Sequence, residues 1–286
     1  MAELDYGALK KGGFMRQIQK DRFSLRLRVI GGHLTGDKLA KISEIANRYG
    51  HGYIHLTSRQ GVEIPFVALG DIERIKEELA AVGLQPGACG PRVRTVTACQ
   101  GAAICPSGLI ETAALAHELD ARYFGQELPH KFKIGITGCK NNCLKAEEND
   151  LGIKGGLFPE WQSTACSYCG LCAAVCPVAA ITVDQAVLSF DASTCVYCGK
   201  CVKSCPSNAW HGESGYLLSF GGMFGNTIKP GLHLLPLLFE KEQVFKAADA
   251  VLAFFAAHAQ SGERLGKTLS RVGPEILQKQ LTEALS

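Results

Sequence analysis

No stretch of this 286-residue chain approaches the ~20 consecutive apolar residues that a membrane-spanning helix requires. The apolar stretch Val251 to Ala257 is short and reads as a buried helix. The first residues, MAELDYGALKKGG, lack the apolar core of a secretory signal, so the cytoplasm is the expected compartment. No G-x-G-x-x-G follows a strand-like segment. A nicotinamide or flavin fingerprint is therefore missing, so any electrons the chain uses must come from a donor protein or subunit. The glycine-rich turn GGMFGN, with Gly221, Gly222 and Gly225, is too weak a pattern to imply a nucleotide. The eight histidines show no metal-ligand spacing. Net charge is only +3, which gives no electrostatic case for nucleic acid or a membrane surface.

What the chain has in excess is cysteine, thirteen residues. A reducing cytosol keeps thiols free, so short cysteine spacings there point to metal or catalysis rather than disulfides. Twelve fall into short-spaced groups; Cys89 stands apart and reads as a bystander thiol.

Length suggests about two domains. Residues 23–30 alternate in a strand period, with Phe23, Leu25, Leu27 and Val29 on one face and Arg26 and Arg28 on the other. A helix over 37–49, short strands in YIHLT and VEIPFV, and a helix over 71–82 complete a βαββα unit with an antiparallel sheet. A strand over 92–98, a helix over 106–123, a strand over 131–137, a returning strand YLLSF and helices over 241–259 and 274–285 follow. The Cys-, Pro- and Ser-rich stretch between reads as an insertion into the second unit.

The insertion contains a repeat. Cys166, Cys169, Cys172 and Cys176-Pro177 have the spacing C-x2-C-x2-C-x3-C-P, and Cys195, Cys198, Cys201 and Cys205-Pro206 repeat it. In bacterial two-cluster ferredoxins the fourth Cys of each run ligates the other cluster. One cluster would take Cys166, Cys169, Cys172 and Cys205; the other would take Cys195, Cys198, Cys201 and Cys176. Structural zinc is the alternative, but its sites use C-x2-C pairs separated by longer loops.

Cys99 and Cys105, with Cys139 and Cys143, supply four more thiolates, for a third cluster or for zinc. Basic residues precede both pairs in a strand period. Arg92 and Arg94 share one face before Cys99; Lys131 and Lys133 share one face before Cys139, opposite Phe132, Ile134 and Ile136. Arg59 sits in the turn-like LTSRQ. Two such charges ~4 Å apart repel by roughly 4 kcal/mol at an effective dielectric of 20, so convergence demands an anion. Solvated strand faces are the alternative.

At these residues a family resemblance emerges. TACQGAAICPSGLIET, followed by KFKIGITGCKNNCLKAEENDLGIKGG, resembles the sirohaem and 4Fe-4S signature of sulfite and nitrite reductases. SLRLRVIGG and LTSRQGVEI resemble the family's ferredoxin-like half-domain; the insertion and GERLGKTLSRVG resemble the anaerobic sulfite reductase group, whose members carry one copy of the half-domain and extra clusters. The resemblance implies an α+β fold: a ferredoxin-like half-domain over 1–88, a sirohaem/4Fe-4S domain over 89–158 and 213–286, and an inserted dicluster ferredoxin over 159–212. It implies sirohaem and three 4Fe-4S clusters. Cys99, Cys105, Cys139 and Cys143 would hold one cluster, with Cys143 bridging to the sirohaem iron. The anion-binding cations would be Arg26 (or Arg28, since the alternation leaves the register open), Arg94, Lys131 and Lys133. Arg59, with Arg28 and Arg92, would meet sirohaem carboxylates, and the GGMFGN loop would lie against the cofactor. The implied activity is six-electron reduction of sulfite to sulfide. Nitrite reductases of the family tend to carry Asn where Lys133 stands, so the Lys-x-Lys pair favours sulfite over nitrite. A non-catalytic electron carrier is the rival of a different class. Larger members hold two copies of the half-domain pair and this chain holds one, so a homo-oligomer completing the cofactor pockets is expected.

Overall fold

A computed structural model describes residues 4–286; the first three residues of the expected 1–88 unit lie outside the described residues. The N-terminal unit runs α1 (Tyr6–Lys11), β1 (Phe14–Arg16), β2 (Arg22–Arg26), α2 (Gly36–Tyr49), β3 (His55–Leu56), β4 (Val62–Ala68) and α3 (Ile72–Ala80). Its antiparallel sheet has the order β1-β2-β4-β3. The period-2 pattern holds: Phe23, Leu25, Leu27 and Val29 are all buried, against Ile42, Ile45, Ile64 and Ile75. The ladder itself stops at Arg26; Leu27 bridges to Pro86 instead, and the chain then turns through Gly31 and Gly32, both at positive φ. α1 and β1 add a helix and an edge strand to the expected βαββα pattern.

The second unit holds β5 (Thr97–Ala98), α4 (Thr112–Tyr123), β6 (Ile134–Thr137) and β7 (Leu151–Trp161). Within the insertion lie α5 (Leu171–Val175), β8 (Ile181–Asp184), β9 (Val187–Phe190) and α6 (Lys200–Ser204). β10 (Trp210–Phe220), α7 (Lys241–His258), α8 (Leu265–Val272) and α9 (Pro274–Leu285) follow. The sheet order is β10-β7-β6-β5, with β5, β6 and β7 parallel and β10 antiparallel to β7. One face packs on α7, whose Val244, Val251, Phe254 and Phe255 are buried; Phe132 meets Phe255 at 5.7 Å between ring centroids.

Several expected boundaries move. The strand over 92–98 is a ladder only at Thr97–Ala98, while Arg92 and Val93 make isolated bridges to Glu127 and Phe132. The helix expected from Pro106 begins at Thr112, where the Glu111 carboxylate accepts the Ala113 N–H at 2.9 Å. The intervening backbone is committed elsewhere: Ala102 N–H donates to Ile110 O and Leu109 N–H to Gly138 O. β7 is not legible in the sequence, because Gly152, Gly155 and Gly156 depress strand propensity. Close approach explains two of them. A Cβ at Gly155 would collide with the Gly138 carbonyl, and one at Gly152 with the Ala146 carbonyl. α8 is a further element that the sequence pattern does not announce.

The insertion leaves and re-enters at the far end of the β7–β10 pair, where Trp161 faces Trp210. It has its own small core of Cys172, Ile181, Leu188, Cys201 and Trp210, and the hairpin β8–β9. No helix among the described residues is long and apolar enough to cross a membrane.

Candidate functional site

Parallel pairing explains why two distant cysteine pairs meet. Thr97 and Ala98 pair with Gly135 and Ile136, so Cys99 and Cys139 emerge from the same C-terminal edge of β5 and β6. This edge is where open parallel sheets carry their ligands. Gly138 N–H donates to Cys99 Sγ at 3.0 Å, and the Thr112 hydroxyl holds the Cys99 carbonyl. Burial pushes the Cys139 thiol up, and the adjacent Cys143, Cys105 and Cys99 push it further. Cys99, Cys105 and Cys143 are thus the thiols that Cys139 faces. Gly101 at positive φ, and Gly138, whose Cβ would press on the Gly101 backbone, let the two loops close together.

In the insertion, one small cavity is lined by Cys166, Cys169, Cys172 and Cys205. A second is lined by Cys176, Cys195, Cys198 and Cys201. The chain repeats its backbone at a 29-residue offset. Tyr168 and Tyr197, Gly170 and Gly199, and Ala179 and Asn208 all take positive φ. The N–H groups of Tyr168, Ala180, Tyr197 and Ala209 donate to Cys166, Cys176, Cys195 and Cys205 sulfurs at 3.2–3.4 Å. Burial pushes the Cys201 thiol up to about 11. Buried thiols with inward amides suit metal-bound thiolates, whose charge an iron centre and N–H···S bonds share. The second set abuts the main unit: Leu157 N–H donates to Tyr197 O at 2.9 Å, and Lys203 Nζ to Pro106 O at 2.9 Å.

A cavity of about 270 Å3 lies between the two units and is lined by Arg26, Arg59, Arg94, Lys131 and Lys133, with Thr57, Ser58 and Thr95 among its polar walls. Five cations therefore converge. Arg26 donates from Nε to Glu63 at 2.7 Å. Arg59 reaches the Asn149 side chain at 2.7 Å and Thr95 O at 3.2 Å; burial lowers it to about 10, and Arg94, Arg264 and Arg26 act the same way. Arg94 binds the carbonyls of Ala88 and Gly90, while its buried Nε has no partner among the described residues. Lys133 is lowered to about 8, first by burial and then by Arg59 and Arg264; Lys131 is lowered by burial, Arg264 and Arg94. Unpartnered donors and depressed cations are the signature of a site that wants an anion.

Two sequence expectations are corrected here. Arg28 does not line the cavity: its Nε donates to the fully buried Asp120 at 2.7 Å and its guanidinium stacks on Phe124. The register left open between Arg26 and Arg28 thus falls on Arg26. Arg92 also points elsewhere, to Glu127 at 2.9 Å. Both find carboxylates away from the cavity, which no local pattern announces. Conversely Cys89, expected as a bystander, is buried with Arg26 Nη1 3.4 Å from its sulfur. Of the GGMFGN glycines, Gly221 packs on Gly266 and Gly222 on Glu147 O, whereas nothing would lie within 4 Å of a Cβ at Gly225. His51 stacks on Phe66.

Within this chain the cavity and the Cys99 set lie at opposite ends of β6. Lys133 precedes β6 and Cys139 follows it, six residues on, roughly 20 Å at ~3.3 Å per residue. None of Cys99, Cys105, Cys139 or Cys143 lines the cavity.

Residues 89–286 match the nitrite and sulphite reductase 4Fe-4S domain, and residues 15–82 the nitrite/sulfite reductase ferredoxin-like half domain. The chain belongs to this family. It is 36% identical over 247 residues to the coenzyme F420-dependent sulfite reductase of Methanocaldococcus jannaschii, covering 85% of this chain and 39% of that protein. It is 31% identical over 166 residues to a subunit of the anaerobic sulfite reductase of Salmonella typhimurium, covering 53% of this chain and 49% of that one. The chain thus spans less than half the length of both. Its fold resembles the crystal structure of dissimilatory sulfite reductase I, with TM-score 0.75 and 20% identity over 91% of this chain and 69% of that one.

Proposed function

We propose that the chain reduces sulfite to sulfide, using sirohaem and 4Fe-4S clusters. The observation that carries this reading is the convergence of Arg26, Arg59, Arg94, Lys131 and Lys133 on one cavity, in a chain that also gathers three sets of four cysteines. Its cationic lining suits a small oxyanion and the carboxylates of a sirohaem. The cysteine sets suit three 4Fe-4S clusters, held by Cys99, Cys105, Cys139 and Cys143 and by the two crossed sets of the inserted dicluster ferredoxin. When bound, these groups would relay six electrons one at a time from a donor protein or subunit and would offer an iron site for the anion.

The protein's own work is electrostatic. Arg94 and Arg26 orient sulfite oxygens; Lys131 and Lys133 neutralise charge that builds on them. Lys133, lowered to about 8 by burial, donates a proton from Nζ to a departing oxygen. Each charge-assisted hydrogen bond contributes about 1.5–3 kcal/mol.

The separation of cavity and Cys99 set along β6 favours a site shared between two copies, cations from one and thiolates from the other. Co-expression of Lys133→Ala with Cys143→Ser chains tests this. Mixed oligomers regain activity that neither variant has alone; no recovery defeats the shared site.

Steady-state reduction of sulfite and nitrite with a viologen donor tests the substrate. Higher kcat/KM with nitrite overturns sulfite. An anaerobic absorption spectrum without the Soret and red bands of sirohaem would reduce the chain to an electron carrier.

A further inference from the structure

The dipeptide Asn149-Asp150 ends the loop that leaves Cys143 and opens β7. Both side chains back the cation cavity. Asn149 holds Arg59, as described. Asp150 is fully buried, and its Oδ2 accepts the backbone N–H of Lys133 at 2.8 Å. Leu151 N–H returns a bond to Lys133 O at 3.0 Å, so the Lys133 peptide is gripped from both sides. Arg264, just before α8, closes on the same carboxylate in bidentate fashion, Nε to Oδ1 at 3.0 Å and Nη2 to Oδ2 at 2.8 Å. Its side chain is 13% exposed.

Such a buried pair is not needed for stability alone, since well-packed apolar residues often serve as well. Its placement is the informative point. Arg264 comes from a segment more than a hundred residues from Lys133, yet its counter-ion is the carboxylate that anchors that lysine.

We propose that Asp150 and Arg264 are positioning residues for the cavity: the pair fixes the Lys133 backbone and sets the charge that Lys133 presents to an oxyanion. The inference rests on the reading of the cavity as an anion site. The charged groups facing Lys133 are Arg59 from the β3–β4 turn, Arg264 before α8, Asp150 at the start of β7, and Lys131 on its own segment. Asp150 favours the protonated ammonium; the three cations oppose it. Removing Asp150 or Arg264 therefore has opposite signs, which a purely structural role does not produce.

The test is competitive acylation of lysines in the cofactor-loaded protein, read by mass spectrometry against pH. In Asp150→Asn the Lys133 midpoint moves down by about one pH unit, the scale of losing one near counter-charge. In Arg264→Gln it moves up. If Asp150→Asn does not fold, Arg264→Gln alone decides. Unmoved midpoints, or shifts of the same sign in both variants, overturn the proposal. Sulfite protection of Lys133 is read separately: its absence overturns the anion reading and leaves the midpoints to judge the pair.

Discussion

The insertion and the cation cavity are built in opposite ways. Each insertion loop brings three of its four cysteines within seven residues, and a symmetric exchange of the fourth completes both sets. The cavity draws Arg26, Arg59, Arg94, Lys131 and Lys133 from separate segments across more than a hundred residues. A local site is specified by spacing; a dispersed one exists only when two cores and the sheet between them are complete. The first should fail in discrete steps, the second by degrees.

The largest effect is expected from Cys172→Ala, which removes a buried ligand from a set with no spare thiol. About four iron atoms per chain should be lost by metal analysis, the content of one cluster. Retention of full iron would break the assignment of Cys166, Cys169 and Cys172 to a cluster. Next, Arg28→Ala leaves the carboxylate of Asp120 buried without its cation. Stability should fall by about 3 kcal/mol in a denaturant titration, with sulfite affinity of the remaining folded protein unchanged. This separates Arg28 from Arg26, its neighbour on the same strand face. Arg94→Ala should do the reverse: sulfite affinity falls roughly 10- to 100-fold in a spectral titration, the cost of one charge-assisted contact.

A subtler effect is pH dependence. Lys133 in the folded chain titrates at about 8, below the ~10.4 of an unfolded lysine. Below about 8 both states are protonated and the cation is available to an anion. As pH rises through about 8 the folded chain loses it, and sulfite affinity should drop roughly tenfold by pH 9.5. Lys133→Arg, which keeps its charge, should stay flat over the same range. The linkage has the matching sign: the unfolded chain binds more protons between about 8 and ~10.4, so this group makes stability rise with pH there. The smallest effect belongs to Arg92→Ala. Paired on the exposed Glu127, it should leave sulfite affinity within about twofold.

Legibility follows the same division. The alternation Phe23-Leu25-Leu27-Val29 and the Phe132-Ile134-Ile136 face are readable because a strand shows its burial at period two. β7 is hidden by Gly152, Gly155 and Gly156, whose meaning is a close backbone approach that sequence cannot display. The helix start at Thr112 is hidden because the CQGAAICPSGLI loop spends its N–H groups on Ile110 and Gly138 rather than on a first helical turn. Arg264 stands inside a recognisable segment, GERLGKTLSRVG, yet nothing local links it to Asp150 or to Lys133.

By itself the sequence determined the cysteine groups, the insertion and the set of basic residues from which an anion site could be drawn. Short loops carry their own geometry, so ligand spacing survives translation into structure. Only the tertiary structure decided that Arg26 rather than Arg28 enters the cavity, that Arg92 stays outside, that Cys89 lies against Arg26, and that the cations and the Cys99 set occupy opposite ends of β6. Those outcomes turn on which carboxylate each long side chain reaches first, and partners such as Asp120, Glu127 and Asp150 come within reach only after the cores have formed.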